Sequence, residues 1–491
     1  MKLLKHAWRR EDGMALIWFS ITIVFLLGTA GFAVDLGWMY LNASRTQRAA
    51  DAAAMAGVVH LPGFPSSADS DARDSARSNG YDICDPGNTG CVDALTATPI
   101  GESQLDVELS TTIPSFFLAV LGFDSFDISR DATAEYVKPV PMGSPNRCFG
   151  QDPTGTYCTP EPGGFWAAVS APYTKKENGD PYSTRCLEPT GNAANCSSTN
   201  SEYARGGSYN GYYYAVEVSP GVSNLQVRLY DAGFYDRNIN VETGDSTFQP
   251  GNNDPWANTR FRLMAVDSTP HDPTDNPVVA GCDYTLTPGQ WEGALRNKWA
   301  TMCTIGGAVT PGIWVLHVQT EGVGAGSNSY SVAAVSGSGP QPRVYGINDM
   351  SIWNNQLGGS TDLHLVEVDP IHAGSKLELQ FFDPGDAQAD SWMSVRDPYG
   401  NVPTCGWESR DYNGTIVESG NGACSWQTTD TSLPDKRRFN NQWITATIEI
   451  ADTYTCNGSD CFWKMNMNLS DPNERTVWRA RVIGNPVRLV P

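Results

Sequence analysis

The chain has 491 residues, of which 40% are hydrophobic, and it carries 54 Asp and Glu against 33 Lys and Arg, a formal net charge of −21. This length and composition suit two or three domains with substantial cores. The first 60 residues hold six Lys/Arg and four Asp/Glu, so the remainder holds 27 against 50, a charge of −23. Because such an acidic surface repels phosphate backbones, no nucleic-acid partner is expected.

The first predicted element is a helix that crosses a membrane. Residues 14–34 (MALIWFSITIVFLLGTAGFAV) contain no charge, and 21 helical residues reach about 31 Å, the thickness of a hydrocarbon core. Apolar and small residues continue at three- and four-residue spacing beyond the span, so we predict one transmembrane and amphipathic stalk helix over 14–60. A cleaved secretory signal shares the order basic, apolar, small. The long apolar run and the continuing helical pattern favour an anchor.

The residues before the span predict its orientation. Residues 1–13 contain four basic and two acidic side chains. An excess of Lys and Arg holds such a tail in the cytoplasm. We therefore predict a cytoplasmic tail over 1–13, a single-pass helix in the cell membrane, and an extracellular remainder.

Three segments of the N-terminal region carry a family resemblance. Asp12-Gly13 precedes the span, residues 31–40 (GFAVDLGWMY) close it, and residues 45–54 (RTQRAADAAA) follow. These segments resemble the start of the TadE/TadG-like proteins of bacterial Flp (Tad) pilus assembly, and residues 113–134 are similar to the close of the same module, which extends over residues 1 to about 137. The resemblance implies a membrane-anchored, pseudopilin-like component of a surface pilus or secretion apparatus, with pilins and pilus assembly proteins as partners.

The outer half of the helix offers a face for assembly with such partners. The apolar and small residues that share this face are Met39, Tyr40, Ala43, Ala50, Ala54 and Gly57. Asp35 lies at the outer boundary of the span. It either marks the membrane edge, which is the favoured interpretation, or is buried in a helix bundle and needs a partner such as Arg45 or a neighbouring chain's N-terminal amine.

A small α/β head is predicted over residues 61–137. Its first part, residues 61–104, is rich in Pro, Gly, Ser and Asp and is typical of an exposed loop. Residues 105–109 alternate like a strand, residues 113–121 form a short apolar helix, and residues 127–136 form a returning strand.

The cysteines indicate an oxidising compartment. All twelve lie at or after position 84, outside the tail and the span, and their even number favours disulfides. Neighbours in sequence form close pairs, each closing a short loop and contributing roughly 2–4 kcal/mol. The sequence has no Cys-x-x-Cys motif and no His at ligand spacing, so a zinc site is not expected. The predicted pairs are Cys84 with Cys91, Cys148 with Cys158, Cys186 with Cys196, Cys282 with Cys303, Cys405 with Cys424 and Cys456 with Cys461.

An internal duplication follows a proline-rich linker over 138–147. Residues 213–231 (YYAVEVSPGVSNLQVRLYD) correspond to residues 363–383 (LHLVEVDPIHAGSKLELQFFD). The spacing of about 150 residues between the copies predicts tandem domains rather than a solenoid.

Each copy is predicted to be an antiparallel β-sandwich. Apolar and polar residues alternate with the period of a half-buried strand, and Asp/Pro/Gly turns separate short strands. Further along, the predicted strand that begins at Gly312 corresponds to the one that begins at Gln442 in the other copy. The strand at Tyr330 likewise corresponds to the strand at Trp463. The fold class is therefore α+β multidomain, with sandwiches that resemble jelly-roll-like accessory domains of secreted bacterial proteins. The two domains are β-sandwich repeat 1 over 148–340 and β-sandwich repeat 2 over 341–491.

Acidic loops are the candidate metal sites. They follow equivalent strands in both copies and would suit calcium, a hard cation that takes carboxylate oxygens. The alternative is turn chemistry, because Asp before Pro or Gly caps turns without a metal. The candidates are Asp231, Asp236, Asp245, Asp383, Asp386 and Asp390.

No motif in the sequence predicts catalysis. There is no Gly-x-Ser-x-Gly elbow, His-Glu-x-x-His motif or phosphate-binding glycine loop. The run 212–214 (YYY) suggests a sugar-stacking platform, although strand aromatics more often belong to a core. We therefore expect a protein that is not an enzyme and has no cofactor other than calcium.

Together these patterns predict a membrane-anchored component of a Flp/Tad-type pilus or secretion system. Its extracellular β-sandwiches would serve assembly, tip capping or adhesion. The alternative is a stand-alone cell-surface protein whose sandwiches bind a glycan, calcium or a protein ligand, and whose helix is only an anchor.

Overall fold

The computed structural model forms two compact units, one of residues Met1–Val137 with Val487–Pro491 and one of residues Lys138–Pro486. The residues described are 12–61, 64–101, 103–136, 140–158, 165–183, 200, 202–203, 211–234, 243–248, 257–267, 273–287, 295–322, 324–354, 359–384, 391–434, 436–469, 474–483 and 487–490.

The first unit begins with one long helix, as predicted. Helix α1 (Asp12–Val58) has 47 residues. The side chains of residues 14–30 are exposed, and the helix is long and apolar enough to cross a membrane. From Ala49 onward one of its faces is buried. The helix therefore has an apolar half available to lipid and an outer half that packs within the unit.

The outer half of α1 packs on an α/β head. We use "the head" for helix α2 and a four-stranded antiparallel sheet of order β1-β2-β3-β25. Its core joins the alanines of α1 to Leu105, Val107 and Leu109 of the sheet. The elements are α2 (Pro65–Ser78), β1 (Ala94–Ile100), β2 (Gln104–Pro114), the 3₁₀ helix Leu118–Leu121, β3 (Ser125–Tyr136) and β25 (Val487–Val490).

Helix α2 corrects the prediction of a loop over 61–104. Ala68, Ala72 and Ala76 recur every four residues and are buried, so this helix has a narrow alanine stripe that Ser and Asp conceal in the sequence. Arg73 supports the helix from outside, since its Nε lies 2.8 Å from the Asp69 carboxylate one turn earlier.

The hairpin of β2 and β3 corrects the prediction of a helix over 113–121. Ile113 and Pro114 still pair with Phe126 and Ser125, so the strand continues and only a single 3₁₀ turn follows. Pro114 ends the strand on the side where no amide is needed.

The described residues of the second unit are mainly β, with one helical residue, Leu295, and short 3₁₀ turns at Lys176–Asn178 and Pro370–His372. The strands are β4 (Cys148–Phe149), β5 (Trp166–Ser170), β6 (Tyr212–Val218), β7 (Ser223–Tyr230), β8 (Ser246–Phe248), β9 (Asn258–Met264), β10 (Val278–Leu286), β11 (Trp299–Ala308), β12 (Gly312–Glu321), β13 (Ala325–Val335), β14 (Arg343–Ile347), β15 (Met350–Asn354), β16 (Gly359–Glu367), β17 (Lys376–Phe382), β18 (Trp392–Arg396), β19 (Thr404–Arg410), β20 (Ile416–Ala423), β21 (Ser425–Gln427), β22 (Trp443–Glu449), β23 (Phe462–Leu469) and β24 (Glu474–Ile483).

These strands form two sandwiches that share one long sheet. The long sheet has the order β11-β7-β13-β5-β15-β24-β17-β22-β19-β20, and β4 and β8 also pair with β13. A five-stranded sheet, β10-β9-β12-β6-β14, covers its first part, where the hydroxyls of Tyr214 and Tyr330 lie 2.9 Å apart in the core. A four-stranded sheet, β16-β23-β18-β21, covers its second part, where Phe381 contacts Trp426. The predicted antiparallel β-sandwich fold is confirmed.

The duplication is visible in strand order, with one correction. Strand β7 lies between β11 and β13, as β17 lies between β22 and β24. Trp299 pairs with the last residue of β7, and Trp443 with the last residue of β17. The strands that contain Gly312 and Tyr330, β12 and β13, therefore correspond to β23 and β24. The sequence match had paired them with β22 and β23, one strand earlier. The match followed the wrong tryptophan, because Trp314 and Trp443 occur in similar apolar runs.

Two predicted boundaries differ from the packing. Met142, within the predicted linker, is buried and forms bridges with Gly346 and Val366, so this part of the segment belongs to the second unit. Residues 487–490 were predicted in β-sandwich repeat 2, but they pair with β3 in the head. The division of the second unit at residue 340 remains a prediction from sequence.

Candidate functional site: the stalk helix and its head

Beyond the span, one face of α1 packs against the head, and we call it the inner face. Ala50, Ala54 and Gly57, which the sequence assigned to an assembly face, are buried in the core of the head. A Cβ on Gly57 would lie 2.5 Å from the carbonyl oxygen of Ala68 and 2.5 Å from Cδ2 of Leu105. This glycine therefore lets α1 approach α2 and the sheet, and the head covers these three positions.

The opposite face of α1, which we call the outer face, is exposed to solvent just after the span. Tyr40 is 78% exposed, and Leu36 and Leu41 are each 40% exposed. Met39 and Ala43 are half-buried. Of the six predicted assembly residues, Tyr40 is thus the one best placed to touch another protein.

Asp35 holds the head against the helix. Its carboxylate accepts hydrogen bonds from three consecutive backbone N–H groups, those of Phe116 at 2.9 Å, Phe117 at 3.0 Å and Leu118 at 2.7 Å. Phe116 and Phe117 precede the 3₁₀ helix and Leu118 begins it, so these amides have no partner within the turn, and Asp35 caps it from 81 residues away. The side chain is fully buried. The interpretation that Asp35 only marks a membrane edge is therefore wrong.

Two further contacts fix the same region. The ring of Trp38 lies 5.5 Å from that of Phe116. A Cβ on Gly31 would lie 2.9 Å from Cβ of Phe117, so Gly31 allows the hairpin to lie flat on the helix. These contacts and the three hydrogen bonds to Asp35 together form what we call the clamp, which no pattern in the sequence predicted. The one indication in the sequence is that residues 115–118 start a helical turn. No acidic or hydroxyl side chain there is placed to accept hydrogen bonds from all three amides.

The structure joins five of the predicted cysteine pairs. Each has a Cα–Cα distance of 4.6–5.5 Å and closes a local loop. They are Cys84–Cys91, Cys148–Cys158, Cys282–Cys303, Cys405–Cys424 and Cys456–Cys461.

The sixth predicted pair differs from these five in that the structure does not show it. Cys186 lies outside the described residues, and Cys196 also lies outside them. The disulfide between Cys186 and Cys196 therefore stays a prediction from their closeness in sequence.

The acidic positions of the two copies form equivalent buried turns. Asp231 directly follows β7, and Asp383 directly follows the equivalent strand β17. Both have a left-handed backbone, at φ 50°. Asp231 accepts a hydrogen bond from the amide of Asn297 at 3.0 Å, and Asp383 accepts one from the amide of Asn441 at 2.6 Å. Both asparagines are also left-handed. These two aspartates therefore close turns, as the alternative to calcium supposed.

The described residues give no support for calcium. Among them, no group of three or more His, Cys, Asp or Glu is arranged to hold a metal ion. Asp236, Asp386 and Asp390 lie outside the described part of the chain, so calcium at these loops stays a prediction. Tyr212 and Tyr214 are buried, and the half-buried Tyr213 stacks on His317 with ring centroids 4.4 Å apart. The tyrosine run is therefore mainly core, and a three-ring platform for sugar is not formed.

Two buried carboxyl groups make the second unit sensitive to pH. Burial raises the pKa of Asp180 to about 6. Burial and the neighbouring charge of Asp231 raise the pKa of Asp245 well above its usual range, although the amide of Ser329 donates to it. The unfolded chain loses these protons near pH 3.9, so stability falls as the pH rises from about 4 through 6, by about 3 kcal/mol for Asp180 alone.

We expect Asp245→Asn to reduce this pH dependence. An Asn side chain stays neutral, can still accept from Ser329 and can donate to Asp231, so the cost of ionising this buried group disappears. Denaturant titrations at pH 5 and pH 8, followed by tryptophan fluorescence, measure the difference. The stability gap between the two pH values should shrink in the variant. An unchanged gap, or a wild-type protein that is more stable at pH 8, would contradict the assignment.

The N-terminal unit defines a class of protein, an α/β head clamped to the outer half of a single apolar helix. Residues 13–60, which cover most of α1, match the Tad family model, described as "Putative Flp pilus-assembly TadE/G-like". This match confirms the resemblance seen in the N-terminal sequence. The matched segment is the helix that carries Asp35, Tyr40 and Gly57.

Comparisons over the whole chain are weaker. No curated protein matches it. Among solved structures it is similar to a "putative secreted protein" from Parabacteroides distasonis, at 8% identity over 71% of this chain and 89% of that chain, with a TM-score of 0.13. It is also similar to the Macrobrachium rosenbergii nodavirus structure, at 10% identity over 82% and 99%, with a TM-score of 0.11. At these scores neither similarity bears on function.

Proposed function

We propose that this protein is a pseudopilin-like, non-enzymatic component of a Flp/Tad-type pilus or secretion apparatus. It is anchored in the cell membrane by α1, with its N-terminus in the cytoplasm and its β-sandwiches outside. The observation that carries the proposal is the match of the family model to residues 13–60, on a helix whose first half is exposed and apolar.

The open part of α1 is the surface proposed to meet pilins or assembly-platform proteins. The inner face is occupied by the head, so a partner beside the outer half would meet exposed positions, among them Leu36, Tyr40 and Leu41. An aromatic and two leucines on a helix face suit packing against another helix. The β-sandwiches are proposed to be displayed for assembly, tip capping or adhesion, and the disulfides suit them to an oxidising exterior.

Photocrosslinking in cells that express the apparatus tests this proposal. A benzoylphenylalanine at Tyr40 should form adducts with pilins or platform proteins. The matched control is the same probe at Tyr399, which is 54% exposed on the second unit and should give no such adduct. A probe at Tyr40 that forms no adduct with any pilus component would favour the alternative, a stand-alone surface protein on a simple anchor.

A further inference from the structure

We propose that the turn of the β2–β3 hairpin inserts into the bilayer beside the span and gives the head a second contact with lipid. We call residues 115–124 the tip. The proposal deepens the proposed function and rests on its membrane anchor. The occupant of this surface is the lipid leaflet on the side of the head.

The tip is the most apolar exposed surface of the head. Residues 115–123 (SFFLAVLGF) carry no charge. Five large apolar side chains of the tip are exposed by 53–87%, namely Phe116, Phe117, Val120, Leu121 and Phe123. In water this cluster would be costly, at about 25 cal/mol for each Å² of apolar surface, and clusters of this kind mark interaction sites.

The clamp on α1 places the tip at the end of the span. Phe117 lies against Gly31, and Phe116 contacts Trp38, so the tip covers helix residues on both sides of Val34, the last residue of the apolar run. Gly31 lies three residues inside that run, which is about 4.5 Å along the helix axis. A span that occupies the hydrocarbon core therefore brings Phe117 to the depth of its edge. The apolar surface of the tip continues that of the span, which itself requires lipid.

The backbone of the tip is prepared for a medium with little water. Asp35 accepts from the amides of Phe116, Phe117 and Leu118. Four further amides donate to carbonyl oxygens inside the tip: Val120 to Phe117, Gly122 to Ala119, Phe123 to Leu118 and Ser115 to Asp124. Paired backbone groups are a requirement for chain at membrane depth. This pairing lowers the cost of moving the tip from water into the leaflet.

Photolabelling of the full chain in lipid vesicles tests the proposal. Benzoylphenylalanine is placed singly at Val120 in the tip, at Phe25 in the span and at Ile100, which is 48% exposed at the β1–β2 turn. Strand β2 separates Ile100 from the tip by about 34 Å. The Val120 probe should label acyl chains about as well as the Phe25 probe and roughly tenfold or more above the Ile100 probe, because a probe in water meets no lipid. A probe at Leu121 repeats the test at a second site.

The three positions separate the two ways of failing. If Phe25 labels lipid and both tip probes label at the level of Ile100, the tip does not enter the bilayer, while the anchor stands. If the tip probes instead crosslink to a second copy of the chain, the surface is a protein interface and the proposal is overturned. If Phe25 also fails to label lipid, the anchor itself is wrong and the tip proposal falls with it.

Discussion

Replacing Asp35 with Ala should speed hydrogen exchange at the amides of Phe116, Phe117 and Leu118 by about tenfold to a hundredfold. The carboxylate accepts all three amides, and hydrogen bonds to a charged group contribute roughly 1.5–3 kcal/mol each when the partner is lost. Each 1.4 kcal/mol corresponds to about tenfold in the opening equilibrium. The tip should therefore detach from α1 locally, while the alanine-rich core of the head stays folded.

Exchange measured by mass spectrometry on the full chain in detergent, without a bilayer around the tip, reports this change directly. Asp127→Ala is the matched control, because that carboxylate lies on the same hairpin and accepts from the exposed Thr112 hydroxyl rather than from the tip. It should leave the tip amides protected, since exposed pairs contribute little. Equal protection in the wild type and the Asp35 variant would show that the clamp does not hold the tip.

Replacing Gly57 with Val should lower the free energy of unfolding of the head by about 3 kcal/mol. The new Cβ would lie 2.5 Å from the backbone oxygen of Ala68, which α2 cannot move without leaving the helix surface. Gly37→Val is the matched control in the same helix, because nothing lies within 4 Å of a Cβ there. Val has a better helix propensity than Gly, so the control should be neutral or slightly stabilising.

Denaturant-dependent hydrogen exchange of α2 and β2 measures both variants. The Gly57 variant should lose protection across these elements at a lower denaturant concentration, and the Gly37 variant should follow the wild type. Similar profiles for the two variants would mean that α1 and α2 do not pack as closely as the structure has them. The result would also return Gly57 to the set of residues available to a partner.

The features that the sequence predicted are those with a local pattern. The 21-residue apolar run specifies a span by length alone, and the alternation around Val216 and Leu379 specifies strands by period. The family resemblance depends on contiguous segments of α1, which is why the family model matches over residues 13–60. The five described disulfides join Cys residues that are neighbours in sequence.

The features that could not be predicted from the sequence depend on contacts between distant segments. Asp35 and its three amides are separated by more than 80 residues, and nothing near either end indicates the other. The faces of α1 are similarly ambiguous, because small residues such as Ala50 suit packing on a head as well as on a neighbouring helix. Helix α2 was hidden because alanine at four-residue spacing is a weak apolar signal among Ser and Asp.

We propose that α1 is not cleaved, keeps its apolar residues 14–34 and anchors the protein in a membrane. The most direct test of this proposal is fractionation of cells at native expression, with mass spectrometry of the N-terminal peptides. The protein should stay with membranes through an alkaline wash and should retain residues 14–34. Recovery of the mature protein from the medium, with an N-terminus beyond Val34, would contradict the anchor and with it the proposed place in a pilus.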